Sequence, residues 1–74
     1  MNITLVYASA PRTVHQLALD VPEACTLEQA LALSGWIQLH PEVQGLPTGI
    51  WNRKATREAV LREGDRVEVY RDLR

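Results

Sequence analysis

Two segments near the start of the chain alternate between hydrophobic and polar residues, which is the pattern of half-buried β-strands. In the first segment Ile3, Leu5 and Tyr7 share one face, and in the second, "VHQLALDV", Leu17 and Leu19 share one face. The turn residues "ASAPRT" stand between the two segments. The pattern therefore predicts a β-hairpin with a longer loop, whose apolar face needs a cover.

The next segment, "ACTLEQALALSG", changes to the helical period. Gln29 follows Thr26 by three residues, which is the pattern of a capping box at the start of a helix. Gly35 suits the left-handed residue that ends a helix. Between them runs a narrow stripe at helical spacing, made of Leu27, Ala30, Leu31 and Ser34. We therefore expect one helix of about two turns that covers the hairpin.

The rest of the chain predicts shorter elements. Pro41 and Pro47 break any long element, so we expect a helical turn over residues 36–40 and then a loop. "GIWNR" is typical of a third strand, and "KATREAVL" is ambiguous between a short strand and a turn whose apolar end is tucked under the sheet. Gly64, for which we expect a positive φ, precedes a last alternating strand in which Val67 and Val69 face inward.

These elements predict one α+β domain over residues 1–74, with a mixed sheet of four to five strands and one helix packed on one face. A right-handed crossover through the helix would place the last strand parallel to the first, in the middle of the sheet.

Composition narrows the class of protein. The chain has 74 residues, 23% of them charged, and a formal net charge of -1, which gives no indication of nucleic-acid binding. The first residues lack the pattern of a signal peptide, and no apolar run approaches the length of a membrane span. Cys25 is the only cysteine, which fits a reducing compartment. We therefore expect a cytoplasmic protein without membrane insertion.

The charges are unevenly distributed along the chain. Residues 53–74 carry seven basic and five acidic side chains, whereas residues 1–52 carry one basic and four acidic ones. A weakly basic edge is one interpretation, but alternating charges on solvated strands and turns explain the pattern more simply.

Three residues are candidates for chemistry. Cys25 precedes the helix cap, where backbone amides can lower a thiol pKa, but no base stands near it, so we expect a small half-buried residue. His15 and His40 lack cysteine or carboxylate neighbours at metal-ligand spacing, so we expect a strand-end and a turn residue. The sequence contains no phosphate loop, nucleophile elbow or paired carboxylates. We therefore expect no catalytic activity, no cofactor and no metal.

Several segments together carry a family resemblance: "VYASAPR", "ACTLEQALALSG", "HPEV", "GIWNR" and "LREGDRVEVYRDL". They resemble the RnfH family of the ubiquitin-like β-grasp superfamily, which is related to the sulfur carriers ThiS and MoaD. The Leu-x-x-Gly-Asp-x-Val ending is shared across the superfamily, whereas the helix ending in Ser-Gly and the Tyr-Arg-x-Leu close are more particular. The family pattern differs in having phenylalanine, glycine and proline where Trp51, Asn52 and Asp72 stand.

The resemblance implies a β-grasp fold and, through neighbouring genes, an association with the Rnf electron-transport complex or with a START-like lipid-binding protein. Sulfur carriers end on a slim Gly-Gly tail that enters the channel of an adenylating enzyme. The corresponding residues here are bulky or charged: Arg71, Asp72, Leu73 and Arg74. We therefore expect a terminus that ends a sheet, and the alternative is a sulfur or acyl carrier whose tail is processed.

Strand alternation predicts which residues lie on the sheet face away from the helix. With the apolar residues of the first and last strands inward, the outward residues are Val6, Glu68 and Tyr70, joined by Trp51 if Ile50 is inward. Exposed aromatic residues on adjacent strands are typical of a binding site. An alternative of equal weight is that Trp51 folds against the core.

The sequence thus predicts a small non-catalytic protein-interaction module, a monomer or weak dimer with no nucleic-acid partner. The candidate partner-binding residues are Val6, Trp51, Glu68 and Tyr70.

Overall fold

The computed structural model describes residues 1–71, so Asp72, Leu73 and Arg74 of the predicted tail lie outside the described residues. Five strands form one sheet in the order β2-β1-β5-β3-β4. β1 and β5 pair in parallel at its centre, and the other pairs are antiparallel. This is the mixed sheet of the predicted β-grasp fold. The strands are β1 Asn2–Ala10, β2 Thr13–Asp20, β3 Thr48–Ile50, β4 Arg53–Lys54 and β5 Arg66–Val69.

The main helix, α1, spans Leu27–Ser34 and has the predicted ends. The Gln29 N–H donates to Thr26 Oγ1 at 3.2 Å, and the Thr26 N–H donates to Gln29 Oε1 at 3.0 Å, so the capping box is complete. Gly35 ends the helix with a φ of 79°. A short helix α2, Trp36–Leu39, and a 3₁₀ helix, Pro41–Gly45, follow where a helical turn and a loop were expected.

The core lies between α1 and one face of the sheet. It contains the predicted inward residues of β1 and β5, residues of α2 and the loops, and three residues of the predicted stripe of α1, Leu27, Ala30 and Leu31. The fourth stripe residue, Ser34, is half-buried and lies outside this cluster. The largest fully buried side chains are Leu5, Leu27, Leu31, Val43 and Val67.

The ambiguous "KATREAVL" segment forms turns after the end of β4. Val60 makes an isolated bridge to Thr26, which attaches the segment to the start of α1. Leu61 is buried, as expected for a residue under the sheet, but Val60 is 59% exposed, so the expectation was wrong for this residue.

Gly64 has the expected positive φ, 82°. Within residues 1–71 no helix has the length and hydropathy needed to cross a bilayer.

Candidate protein-binding site

Trp51 lies in a turn, which corrects the prediction of a continuous third strand. β3 ends at Ile50 and β4 begins at Arg53, so Trp51 and Asn52 form a two-residue hairpin loop. Their φ angles of 50° and 64° are those of a type I′ turn. Trp51 is 58% exposed, so the alternative in which it packs into the core is wrong.

The backbone conformation of this turn is unfavourable for a bulky residue. Asparagine tolerates the left-handed region, and Asn52 therefore suits this position. Trp51 adopts the same region at the cost of steric strain. The surrounding contacts must therefore hold this turn in place.

Glu68 supplies one of those contacts and connects it to a wider hydrogen-bond network. Its Oε1 accepts hydrogen bonds from the Asn52 backbone N–H at 2.8 Å and from the Tyr70 hydroxyl at 2.7 Å. Its Oε2 accepts one from Arg66 Nε at 3.1 Å. The Trp51 N–H in turn donates to the Arg66 carbonyl at 3.0 Å. The Glu68 carboxylate and the Arg66 carbonyl, both on β5, therefore fix the turn that presents Trp51.

The pKa values of the two acids in this network favour its hydrogen-bonded state. Burial by itself raises the pKa of Glu68, but the hydrogen bonds from Tyr70, Asn52 and Arg66 outweigh it and hold the pKa below its usual value. Burial and the Glu68 carboxylate together raise the pKa of Tyr70 to about 12. At neutral pH Glu68 is therefore an ionised acceptor and Tyr70 a neutral donor.

Tyr70 also covers β3. A Cβ atom at Gly49 would lie 2.8 Å from Tyr70 Cε2 and 2.7 Å from the Arg53 carbonyl oxygen, so only glycine fits beneath this ring. The Tyr70 N–H donates to the Pro47 carbonyl at 2.9 Å. Tyr70 is therefore half-buried. It supports the turn and also contributes to the exposed surface.

Two of the four predicted residues are less accessible than strand alternation indicated. Val6 and Glu68 are only 9% and 6% exposed, so the expectation that they lie open to solvent was wrong. Val6 is in register with Gln16 on one side and Glu68 on the other. Alternation determines which face a side chain occupies, but it carries no information on the long neighbouring side chains that cover it.

Cationic side chains flank the turn. Arg53 and Lys54 of β4 are both exposed, whereas Arg66 is engaged by the Glu68 carboxylate at 3.1 Å. This end of the sheet therefore combines an exposed indole with the exposed positive charges of Arg53 and Lys54.

A second cluster, which no local sequence pattern predicted, brings both histidines together. The rings of His15 and His40 lie 4.5 Å apart between centroids, and Tyr7 lies 5.9 Å and 5.3 Å from them. The Tyr7 hydroxyl donates to Glu42 Oε2 at 2.8 Å. Part of this cluster could be predicted from the hairpin, because its register places Tyr7 opposite His15. Within residues 1–71 no group of three or more His, Cys, Asp or Glu side chains is placed to hold a metal.

Cys25 is more deeply buried than expected, with 3% of its surface exposed. Burial raises the pKa of its thiol, the opposite of what an activated thiolate needs. Its Sγ donates to the Thr26 carbonyl at 3.4 Å. Cys25 therefore belongs to the packing of the helix start.

Comparison with known proteins identifies relatives over the whole chain. Residues 1–74 match the family model described as RnfH family Ubiquitin. The chain is 40% identical over 75 residues to Protein RnfH of Pseudoalteromonas translucida strain TAC 125, covering 99% of this chain and 69% of the relative. It is 42% identical over 74 residues to Protein RnfH of Burkholderia mallei strain NCTC 10229, covering 97% of this chain and 66% of the relative.

A solved structure shows the same fold. The crystal structure of SAMP1 from Haloferax volcanii matches with a TM-score of 0.73, covering 99% of this chain and 97% of that one. The two sequences are 12% identical, so this likeness concerns the fold alone.

Proposed function

Since the chain belongs to the RnfH family of ubiquitin-like proteins, we propose that it acts in the cytoplasm as a small, non-catalytic module that binds a partner protein through the β3–β4 turn. The contact residue is Trp51. The observation that carries the proposal is that this tryptophan is 58% exposed on a strained turn that a buried carboxylate holds in place.

The turn has the energetic properties of a binding anchor. An exposed indole offers a large apolar area, and tryptophan is enriched among the residues that dominate binding energies at interfaces. Because hydrogen bonds to Glu68 and Arg66 already fix the backbone, little further ordering is needed on association. The backbone at Trp51 is therefore already ordered before the indole enters a pocket of a partner.

The four residues predicted from the sequence have different roles in this proposal. Trp51 contacts the partner directly. Glu68 and Tyr70 position the turn through their mutual hydrogen bond of 2.7 Å. Val6, which is 9% exposed, lies beneath the same face and supports it.

The charges around Trp51 favour one class of partner surface. Arg53 and Lys54 stand exposed beside the indole. An apolar pocket with an acidic rim would complement both features. The candidates to assay first are those that the family resemblance implies, a component of the Rnf complex and a START-like lipid-binding protein.

The experiment compares Trp51→Ala with Leu39→Ala, a control on α2 that removes a side chain that is also well exposed, at 69%. Affinity for each candidate partner is measured by isothermal titration calorimetry. Trp51→Ala is expected to weaken binding by about 2 kcal/mol or more, and Leu39→Ala to leave it unchanged. Thermal melts should show that Trp51→Ala lowers the free energy of unfolding by much less than the roughly 3 to 5 kcal/mol expected when a core tryptophan site is emptied.

Two outcomes would contradict the proposal. Unchanged affinity of Trp51→Ala for a partner that the wild-type protein binds would place the contact elsewhere. A strongly destabilised variant that binds normally per folded molecule would make Trp51 a structural residue.

A further inference from the structure

The long free edge of the sheet is β2. This strand is the first in the order β2-β1-β5-β3-β4, and within residues 1–71 it pairs with β1 alone. The Val21 N–H donates to the Met1 carbonyl, so odd-numbered residues of β2 direct their backbone groups toward β1. The even-numbered residues therefore direct their N–H and C=O groups away from the sheet, and all are exposed: Val14, Gln16, Ala18 and Asp20.

The two edges of the sheet are protected to different degrees. β4 has only two residues, Arg53 and Lys54, and short cationic edges resist pairing with other strands. β2 has eight residues, without proline or lysine, and its one charged residue is Asp20 at the end. The irregularity of the hairpin lies on β1, between Ala8 and Ala10. β2 is therefore an extended and regular edge that can accept another strand.

We propose that β2 pairs in antiparallel orientation with β2 of a second copy of this chain, with the two-fold axis at Gln16. In this register Val14 of each copy faces Ala18 of the other. Arg12 lies in the turn directly before β2, with a φ of 65°, and so comes near Asp20 of the other copy without being part of the strand pair. Val14 is 61% exposed in the single chain, and Asp20 has an 84% exposed side chain although its carboxylate lies 3.3 Å from the N-terminal amine. The pairing therefore covers an exposed apolar side chain and joins opposite charges twice.

Other arrangements of the same two edges are less favourable. A parallel pairing would bring Arg12 beside Arg12 and Asp20 beside Asp20, and like charges at adjacent positions are destabilising. An antiparallel register centred on Leu17 would place Val14 opposite Asp20. Of these arrangements, the antiparallel register with its axis at Gln16 is the one that brings opposite charges together and also places Val14 opposite an apolar residue.

The proposed contact is small and lies away from the Trp51 turn. One strand pair buries far less than the roughly 800 Å² per partner of a stable interface, so dimerisation should depend on concentration. β2 and β4 lie at opposite edges of the sheet, so this inference does not depend on the proposed function.

Sedimentation velocity tests the pairing on the full chain between about 10 µM and about 1 mM. We expect the average mass to rise toward that of a dimer for the wild-type protein and for the control Ala18→Ser. Ala18→Pro removes an outward N–H without removing a bond to β1, and it should stay monomeric. Circular dichroism checks that each variant is folded.

A charge swap tests the register. Arg12→Asp and Asp20→Arg should each raise the dissociation constant about tenfold, because each variant loses two exposed ion pairs per dimer. The double variant should recover the wild-type value. A protein that stays monomeric at all concentrations, a dimer that survives Ala18→Pro, or a double variant without recovery would each overturn the proposal, and an extended segment of a different protein would then be the occupant to test.

Discussion

At the scale of single residues, Glu68 shows that a charged residue on the outer face of a sheet can be buried. It lies on the sheet face away from the helix, yet it is 6% exposed and accepts three hydrogen bonds. A buried carboxylate is tolerated only when such donors compensate for its lost hydration. The residue therefore stabilises the Trp51 turn from within.

Glu68→Gln should lower the free energy of unfolding at pH 7 by about 1 to 3 kcal/mol, because the amide group cannot satisfy three donors. The folded-state pKa of Glu68 is lowered, so its contribution is present above the ordinary value of 4.5 and is lost as the pH falls through the folded value. The gap between wild type and variant should therefore close below pH 4.5. Urea unfolding at several pH values measures both effects.

Glu58→Gln serves as the control, since Glu58 is an exposed glutamate in a turn. It should leave the stability nearly unchanged at pH 7. A Glu68→Gln gap that stays constant down to strongly acidic pH would show that the charge of Glu68 does not matter.

At the scale of elements, left-handed residues determine where strands and helices end. Gly35 ends α1 with a φ of 79°, and Gly64 precedes β5 with a φ of 82°. The Gly64 N–H donates to the Asn2 carbonyl at 2.7 Å, which fixes the turn against β1 just before the parallel pair begins. The β3–β4 turn uses the same conformation without glycine, at Trp51 and Asn52.

Gly64→Val should lower the free energy of unfolding by about 1 to 3 kcal/mol, because a β-branched residue is strained at positive φ. A Cβ atom at Gly64 would meet nothing within 4 Å, so the cost comes from the backbone alone. Gly45→Val is the matched control, since Gly45 also has open space but no positive φ. Thermal melts of the two variants should differ, and equal melting temperatures would show that the turn relaxes without strain.

At the scale of the whole molecule, one core joins the hairpin, the helices and the last strand. Residues of the hairpin, α1, α2, the 3₁₀ helix and β5 belong to the same buried cluster. The two tryptophans report on different places, since Trp36 is 5% exposed and Trp51 is 58% exposed. A domain of this size with one core should unfold in a single cooperative step.

Trp51→Phe leaves Trp36, a core residue, as the only tryptophan of the chain. Its emission should be blue-shifted in the native protein, and its urea transition should coincide with that of far-ultraviolet circular dichroism. The wild-type protein provides the reference for the exposed indole. Two separate midpoints in the variant would mean that the region around α2 unfolds independently of the sheet.

The sequence by itself determined the features that depend on neighbouring residues. Alternation at Ile3, Leu5, Val67 and Val69 predicted the core face, and Thr26 with Gln29 predicted the start of α1, because side-chain direction and capping are local properties. Gly64 was predictable for the same reason. The family resemblance extended these local predictions to the β-grasp topology, which the described sheet confirms.

The tertiary structure alone decided the features that depend on contacts between distant segments. β3 ends before Trp51 because the Glu68 carboxylate of β5 and the Arg66 carbonyl bind the turn, and no local pattern contains those bonds. The burial of Val6 and the close approach of the His15 and His40 rings likewise depend on segments that meet only after folding. A period of two residues determines the face of a side chain, whereas its exposure depends on which other side chains the fold places beside it.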